Sequence, residues 1–500
     1  MPVIGTILRT ELLLLWRERT LQTVSALTLA LVAVAFAHGV VRVQRQQARV
    51  VAARNEQAEL YRTATAKLEQ GAMDTNDLRD ETARFRAVLP PAPLAVLAVG
   101  QTDVLPQSFL FQPDENAMIS SPYPIGEHVL YGLYAEPAIG NPRALWNGNF
   151  DLAFLTIYIC PLLIIALTYN LTSAEREDGA LSLILSQPVA PAALALGKVL
   201  ARWLPVLIFG ALLPAVAASA LGGGVRPALF AWLTATVLYQ ILWLAAAVYV
   251  NARASSSLRN ILTLGTLWLA IVVVIPAACA RIVLAVDPQN AILEFADAVR
   301  PVPIQAYETS QATARWVREE FDRTHPLPPD APPDLRDSLW RSEPCTIPPG
   351  KTPLRSYLQT HAEWPAHATC WQVSPAIGLA RVEFIENALA APALKLAEDR
   401  EKTRKLSSFL TYLSPAAVMQ RVTGDIAGSS EARHRRFLAQ IDAYVRERQA
   451  FFVRKIAANE AVAPAEVSNL PLFEFPKESS AEQSVQTALT VLGRSVCSLE

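Results

Sequence analysis

The sequence predicts an α-helical membrane protein with five clear transmembrane helices, a sixth that is truncated or absent, and two mainly helical ectodomains of mixed structure. Composition is the first indication, because the chain of 500 residues is 52% hydrophobic with a mean hydropathy of +0.25. Only 18% of the residues are charged, against about a quarter in a typical soluble domain. Stretches without Asp, Glu, Lys or Arg alternate with segments as polar as a soluble protein. The chain therefore combines membrane and soluble parts.

Five of the charge-free stretches are each long enough to cross a bilayer. A helix needs roughly 20 apolar residues to span the hydrocarbon core. The first stretch resembles a signal peptide, but no small-residue cleavage site follows it, so we interpret it as a retained anchor. The predicted spans are residues 20–41, 152–173, 203–225, 228–250 and 260–280.

The segments on either side of the first span both have helical patterns. Within residues 1–19, leucines and Trp16 alternate with charged residues, which is typical of a helix that lies in the membrane interface. A plain extension of the first span explains the same periodicity. Residues 42–70 lack Pro and Gly and are rich in strong helix formers. We therefore expect the first helix to continue beyond the membrane as a stalk.

Two regions are too polar to lie in the membrane and are long enough to fold as ectodomains. Residues 42–150 comprise the stalk and the first of these domains. Residues 281–482 form the second, in which helical patterns flank a Pro-rich stretch. Residues 174–200 form a loop between spans two and three. Residues 483–500 contain a charge-free run of about half a crossing, which predicts either a truncated sixth span or a nonspanning tail.

The distribution of charge excludes one class of partner and gives a weak indication of orientation. The net charge is −1 and the pI is near 6.6, so the chain lacks the basic field that nucleic-acid binding requires. Arginines flank the first span on both sides. The later loops carry a small excess of positive charge on the side of the N-terminus. The positive-inside rule therefore leans towards a cytoplasmic N-terminus.

The spans contain prolines but almost no ionisable side chain. His38 is the one candidate for a proton relay, and its place near the end of span one favours an interfacial role instead. Four prolines interrupt the spans, at Pro161, Pro205, Pro214 and Pro276. Each frees a backbone carbonyl and kinks its helix, as conformational change requires, although rigid bundles also contain kinks.

The loop at residues 174–200 carries the most specific motif in the chain. It reads AEREDGALSLILSQPVAPAALALGKVL, with an acidic cluster, a glycine, a short apolar helix, a Ser-Gln-Pro turn and a second helix. The order E-R-x-x-G-x-L, then L-S-x-P, then G-K resembles the cytoplasmic coupling loop of ABC-2 type permeases. Further matches at residues 98–106, 146–163 and 413–416 extend the resemblance to nearly the whole chain. They resemble the subgroup that is placed with copper-enzyme-maturation permeases and carries a domain of unknown function.

This resemblance implies a function and a set of partners. The chain would be the permease subunit of an ATP-driven ABC transporter in the bacterial inner membrane, with both ectodomains in the periplasm. A separate ABC ATPase subunit would bind at Glu175, Arg176, Gly179 and Leu181. The permease would form a homodimer, or a heterodimer with a paralogous permease, surrounded by membrane lipid. The alternatives are a mechanotransmission subunit that drives a periplasmic partner without moving a substrate, and, third, a membrane-anchored periplasmic enzyme.

No motif for catalysis or nucleotide binding is found in the sequence. Gly197 and Lys198 lack the upstream glycine and the following Ser or Thr of a phosphate-binding loop. ATP hydrolysis is therefore expected from a partner chain, and we predict that this chain is not an enzyme and has no cofactor.

The cysteines and histidines of the second polar region allow two hypotheses. His361, His367 and Cys370 match no standard metal-site spacing, so we expect structural roles and no metal. Cys345 and Cys370 would share an oxidising compartment if this region is periplasmic. A disulfide between them is one hypothesis, and two free thiols are the other.

Overall fold

The fold was analysed in a computed structural model of the chain. The structure describes residues 2–98, 105–112, 122–126, 128–135, 150–180, 182–183, 186, 190–222, 226–253, 256–286, 289–328, 332 and 334–476. Within these residues, five helices are long and apolar enough to cross a membrane. The strands are short and few. The chain is an α-helical, multi-pass membrane protein.

The membrane bundle consists of these five helices together with a short helix before them, α1 (Pro2–Arg17). The first span does continue as a stalk, because one helix runs unbroken for 50 residues. The helix that contains the third span begins at Pro191 rather than at residue 203, so the last third of the predicted loop, residues 191–200, already belongs to it. The five helices are α2 (Thr20–Glu69), α4 (Leu152–Glu177), α5 (Pro191–Ala220), α6 (Pro227–Arg253) and α7 (Ser257–Val286).

Three of the membrane helices contain a π-helical segment directly before a proline. The segments are Leu155–Ile159 in α4, Ile208–Leu212 in α5 and Leu269–Val274 in α7, and they precede Pro161, Pro214 and Pro276. A proline has no N–H, so it leaves a carbonyl of the preceding turn without its helical donor. In α4 the hydroxyl of Tyr239 donates to the carbonyl of Ile157, four residues before Pro161 (3.1 Å). In α4, a side chain of a neighbouring helix thus supplies a hydrogen-bond donor in the turn that the proline interrupts.

Beyond the stalk, the described residues of the first polar region form one short helix and two small antiparallel sheets. Asp74 caps α3 (Thr75–Ala83) by accepting the backbone N–H groups of Asn76 and Asp77. The larger sheet has the order β1-β2-β5, and the smaller one is the β3-β4 hairpin. The strands are β1 (Phe85–Val88), β2 (Ser108–Phe111), β3 (Tyr123–Ile125), β4 (His128–Leu130) and β5 (Leu133–Ala135).

The second polar region is helical, and its longest helix starts with a complete N-terminal cap. Thr369 accepts the N–H of Gln372, whose side chain accepts the N–H of Thr369 in return. The Pro-rich stretch contains two short helices. The helices are α8 (Gln289–Val299), α9 (Val302–Thr324), α10 (Leu335–Ser342), α11 (Pro353–Thr360), α12 (Cys370–Thr411), α13 (Pro415–Ile426), α14 (Glu431–Ala457) and α15 (Pro464–Ser468).

The two polar regions, expected as separate ectodomains, share their hydrophobic cores. Tyr61 and Leu78 of the first region pack in one cluster with Phe452 of the second. Phe109 of the larger sheet packs against Phe437 of α14, with ring centroids 6.0 Å apart. Together the two regions form one unit, here called the head domain. Either region without the other would have its own apolar face exposed to water.

A disulfide joins Cys345 to Cys370 in the head domain, which confirms the first of the two cysteine hypotheses. Their Cα atoms are 4.6 Å apart, and the N–H of Cys345 donates to the carbonyl of Ala368 (2.8 Å). The bond ties the Pro-rich stretch to the start of α12. Cys370 is therefore not a free thiolate that could join His361 and His367 in a metal site.

Removal of the disulfide should destabilise the head domain. We expect the Cys345→Ser/Cys370→Ser variant to lose about 2–4 kcal/mol of unfolding free energy, because the unfolded chain regains the freedom that the closed loop removes. Chemical denaturation of the purified protein measures the loss. Cys279→Ser is the matched control, since Cys279 is not part of a disulfide and should change the midpoint less. Equal midpoints for the wild type and the double variant would contradict a structural role of the bond.

The turn between α12 and α13 lies beside the middle of α7. Ser414 is 1% exposed, and its hydroxyl donates to the carbonyl of Ile271 (2.7 Å). Ile271 is close to the centre of the charge-free stretch 260–280. Met419 of α13 packs within the same apolar cluster as Trp232 of α6. The α12–α13 hairpin of the head domain therefore reaches half-way along the membrane bundle.

A proline explains why Ser414 is found at that depth. In the π segment of α7, the N–H of Ile275 bonds to the carbonyl of Ala270, five residues back. The next residue, Pro276, would pair with Ile271 in the same pattern but has no N–H. The hydroxyl of Ser414 supplies the missing donor. In a hydrocarbon environment, where water cannot satisfy the carbonyl, this replacement is worth more than at a wet surface.

Candidate functional site

The segment that carries the sequence motif lies at the end of the bundle where α4 ends and α5 begins. The structure describes residues 174–180, 182–183, 186 and 190–200 of this segment, and Leu181 lies outside the described residues. The chain turns away from α4 at Gly179, whose φ is +73°. A Cβ built there would meet no atom of the described chain within 4 Å. Gly179 is therefore required by backbone conformation rather than by close packing.

Glu175 points into the bundle and not towards solvent. Its carboxylate forms an ion pair with the ammonium group of Lys198 in α5, and the Lys198 side chain is only 6% exposed. The same ammonium group donates to the carbonyl of Leu171 (3.2 Å). The pair connects the end of α4 to α5. Its partial burial means that losing one partner would leave a charge without compensation.

A second ion pair connects α1 to α5. Arg202 lies 2.8 Å from the carboxylate of Glu11, and the two side chains are 11% and 10% exposed. The guanidinium group also donates to the side chain of Asn170 (2.5 Å) and to the carbonyl of Leu167 (2.8 Å), both near the end of α4. One arginine thereby joins three helices through planar, directional hydrogen bonds.

The helices α1 and α5 approach each other closely beside this ion pair. A Cβ at Gly197 would lie 2.6 Å from a methyl carbon of Ile7. A larger residue would therefore push α1 outwards. The amphipathic segment expected at the interface is a helix packed onto the start of α5, and Gly197 sets the distance between them.

Glu177 connects the end of α4 to the start of α7. Its carboxylate accepts the backbone N–H of Ser257 (2.6 Å) and the hydroxyl of the same residue (3.1 Å). Ser257 is the first residue of α7, where unpaired N–H groups and the helix dipole both favour a negative charge. The hydroxyl of Ser173 lies 2.8 Å from that of Ser257.

Two buried asparagines extend these connections to α6. The side chain of Asn260 donates to the carbonyl of Tyr169 (2.8 Å) and to the side-chain oxygen of Asn251 (3.0 Å). Asn251 donates in turn to the carbonyl of Thr168 (2.9 Å). These carbonyls lie where a turn at residues 169–172 interrupts α4, and the asparagine side chains add donors to them there. At this end of the bundle, α1, α4, α5, α6 and α7 are thus joined by side chains, in an arrangement we call the polar network.

The outer surface of the segment combines charge with an apolar side chain. Arg176 and Asp178 are exposed, as is the backbone at Gly179. Leu183, a few residues further on, is 69% exposed. Exposed charges and an exposed leucine are features of a surface that another protein can bind.

The sequence singled out the segment but not the residues that support it. In the sequence, Glu11 is one of several charges in an amphipathic segment, and Asn251 and Asn260 lie at the ends of charge-free stretches. The pairing of Glu11 with Arg202 depends on helix packing across 191 positions of sequence, which periodicity does not reveal. The one feature of the sequence that could have indicated these residues is that polar residues occur at the ends of the charge-free stretches.

The class of protein defined by these observations is a multi-pass membrane protein with a polar network at one end of its bundle and a head domain at the other. Residues 348–476, which form much of the head domain, match the family described as Domain of unknown function (DUF3526). No curated protein and no solved structure was found to match the chain.

Proposed function

We propose that this chain is the transmembrane subunit of an ABC-2 type ATP-driven transporter in a bacterial inner membrane. It couples a separate ABC ATPase to movement across the membrane, and it works as a homodimer or as a heterodimer with a paralogous permease. ATP is hydrolysed by the partner chain. In this proposal Arg176 and Asp178 meet the ATPase, Gly179 shapes the turn, Glu175 holds the loop from inside, and Leu181 stays a predicted contact.

The observation that most supports this function is the attachment of the exposed loop to the polar network. A displacement of the loop acts on α4 directly, on α5 through Glu175 and on α7 through Glu177. Arg202 extends the connection to α1. A partner that moves the loop therefore moves several spans as one body, as rigid-body coupling requires.

The disulfide supports the orientation that the proposal requires. Disulfides persist in oxidising compartments and are rare in the cytosol. The Cys345–Cys370 bond therefore favours a head domain outside the cytoplasm. The polar network lies at the other end of the spans, so its exposed loop would face the cytoplasm, where ATP and the ATPase are found.

Co-expression and co-purification with the candidate ABC ATPase subunits of the same genome test the proposal. We expect the Arg176→Glu variant to retain at least about tenfold less ATPase in detergent than the wild type, because reversing a charge in an interface replaces attraction by repulsion. Arg300→Glu, at a side chain 79% exposed on the head domain, is the matched control and should retain the wild-type amount. If the wild type retains no ATPase, or if Arg176→Glu retains as much, the coupling role is wrong.

A mechanotransmission subunit is the second candidate, and the α12–α13 hairpin favours it. The hairpin connects the head domain to the centre of α7 through Ser414, so a shift of α7 would move the head domain. In such a protein the work is done on a partner outside the membrane, and no substrate crosses. A continuous polar groove between two copies would favour transport, whereas a tightly packed apolar interface would favour mechanotransmission.

A further inference from the structure

A cavity of about 360 Å³ lies inside the head domain. Its walls come from α3 and the two sheets on one side, and from α9, α12 and α14 on the other. The cavity therefore lies where the two polar regions meet. Its apolar lining includes Phe85, Phe111, Ile377 and Phe452. A space of this size, with aromatic walls and a few polar groups, is typical of a small-molecule site.

The most unusual group in the cavity wall is the guanidinium group of Arg448. The residue is 7% exposed and donates to the hydroxyl of Thr82 (2.8 Å) and to the carbonyl of Arg79 (3.5 Å). Its Nε has no hydrogen-bond partner, and in the described part of the chain no carboxylate forms an ion pair with it. A buried charge without an opposite charge is costly unless a ligand supplies one.

The other charged side chains around the cavity are mostly basic. Arg381 lines the cavity at 9% exposure, and Arg318 lies on its exposed rim. Of the two acids, Asp80 is already paired with Arg79 (2.6 Å).

The second acid, Glu386, offsets only part of the positive charge of the arginines at neutral pH. Burial raises the pKa of Glu386 to about 7, an effect that Arg446 opposes and that Asp442 and Glu383 reinforce. A substantial fraction of this carboxyl is therefore protonated near pH 7. Burial lowers the pKa of Arg448, an effect that Tyr61 and Tyr444 oppose.

We propose that this cavity binds a small organic anion, with its carboxylate or phosphate group on Arg448 and Arg381 and its apolar part against the phenylalanines. Guanidinium groups bind such anions through paired, charge-assisted hydrogen bonds. The aromatic wall selects against a bare inorganic ion, because an ion alone would leave the apolar surface unfilled. This site does not depend on the proposed function, and it is distant from the polar network along the chain.

Ligand binding to the full-length protein in lipid nanodiscs tests the site. The probes are 4-fluorobenzoate and 4-fluorophenyl phosphate, observed by fluorine NMR, with 4-fluorobenzyl alcohol as the neutral analogue. We expect at least one anion to bind, and the alcohol to bind about tenfold more weakly or not at all. Competition by decanoate indicates a fatty-acid source of the natural ligand. Competition by benzoate alone indicates a soluble aromatic acid.

Variants separate binding from folding. Arg448→Gln should weaken binding of the anion about tenfold or more. Arg318→Glu should also weaken binding, without disturbing buried packing. Arg454→Gln, at an exposed position on the same helix as Arg448, is the matched control and should bind as the wild type. The proposal is overturned if neither anion binds, if the alcohol binds as tightly, or if Arg318→Glu and Arg448→Gln both bind as tightly as Arg454→Gln.

Discussion

Replacement of Glu11 by Ala should lower the unfolding free energy by about 3–5 kcal/mol, because it leaves the buried guanidinium group of Arg202 without its carboxylate. The side chains of this pair are 10% and 11% exposed, so water compensates little. Helix α1 would lose its charged contact to α5. Arg202 would also be held less firmly against α4, to which it donates hydrogen bonds. Thermal denaturation in detergent measures the destabilisation, and co-purification of the ATPase measures the effect on the loop.

Two further variants distinguish an unpaired charge from a general loss of packing. The Glu11→Ala/Arg202→Met variant should recover much of the stability, since replacing a buried pair by apolar groups is often neutral. Glu18→Ala, an exposed acid just beyond α1, should change the melting temperature little. If the double variant is as unstable as Glu11→Ala alone, the charge imbalance is not the cause and the prediction fails.

The Gly428→Ala variant should be the second most damaging change, at about 2–5 kcal/mol. Gly428 follows α13 with a φ of +66°, a conformation that costs a residue with a Cβ roughly 1–2 kcal/mol. The N–H of Gly428 bonds to Asp425, and that of Ser429 bonds to Gly424, which together close the end of the helix. A Cβ at Gly428 would also lie 2.4 Å from that of Ala92, and such overpacking costs about 1–3 kcal/mol.

The two causes can be separated by a compensating change in the first polar region. Ala92→Gly/Gly428→Ala removes the overlap with the Cβ of residue 92 but keeps the unfavourable backbone conformation. We expect this variant to recover the overpacking share of the lost stability and not the remainder, as measured by chemical denaturation. No recovery at all would mean that the contact between residues 92 and 428 is not tight in solution.

The sequence predicted the membrane part of the fold well, because a bilayer imposes a simple rule on length and composition. All five predicted spans are within the observed membrane helices or overlap them, and the stalk continues the first span. The helix after the Ser-Gln-Pro turn was predicted, but its continuity with span three was not, since its polar neighbours separate it from the charge-free stretch. The merging of the two polar regions into one head domain was also missed. Contacts such as Phe109 with Phe437 are set by tertiary packing, which a single sequence does not display.

For the candidate site, the sequence identified the segment but not the orientation of its side chains. Alternation of charge along 174–178 does not say which acid turns inwards. In the structure, Glu175 meets Lys198 and Glu177 meets Ser257, while Arg176 and Asp178 remain at the surface. These differences arise from where α4 ends relative to α5 and α7. The prediction that Leu181 contacts an ATPase lies on a residue outside the described part of the chain.

The hydrogen bond between Ser414 and Ile271 makes two distant positions of the chain depend on each other during evolution. While residue 276 is proline, a hydroxyl at residue 414 is the donor that replaces the missing N–H. A relative with alanine at 276 would have its own helical donor and could accept an apolar residue at 414. The reverse order of substitution would first strand a carbonyl in hydrocarbon. In related sequences, Pro276 should therefore be replaced before Ser414. Substitutions in the α12–α13 hairpin would then depend on whether α7 still carries its proline.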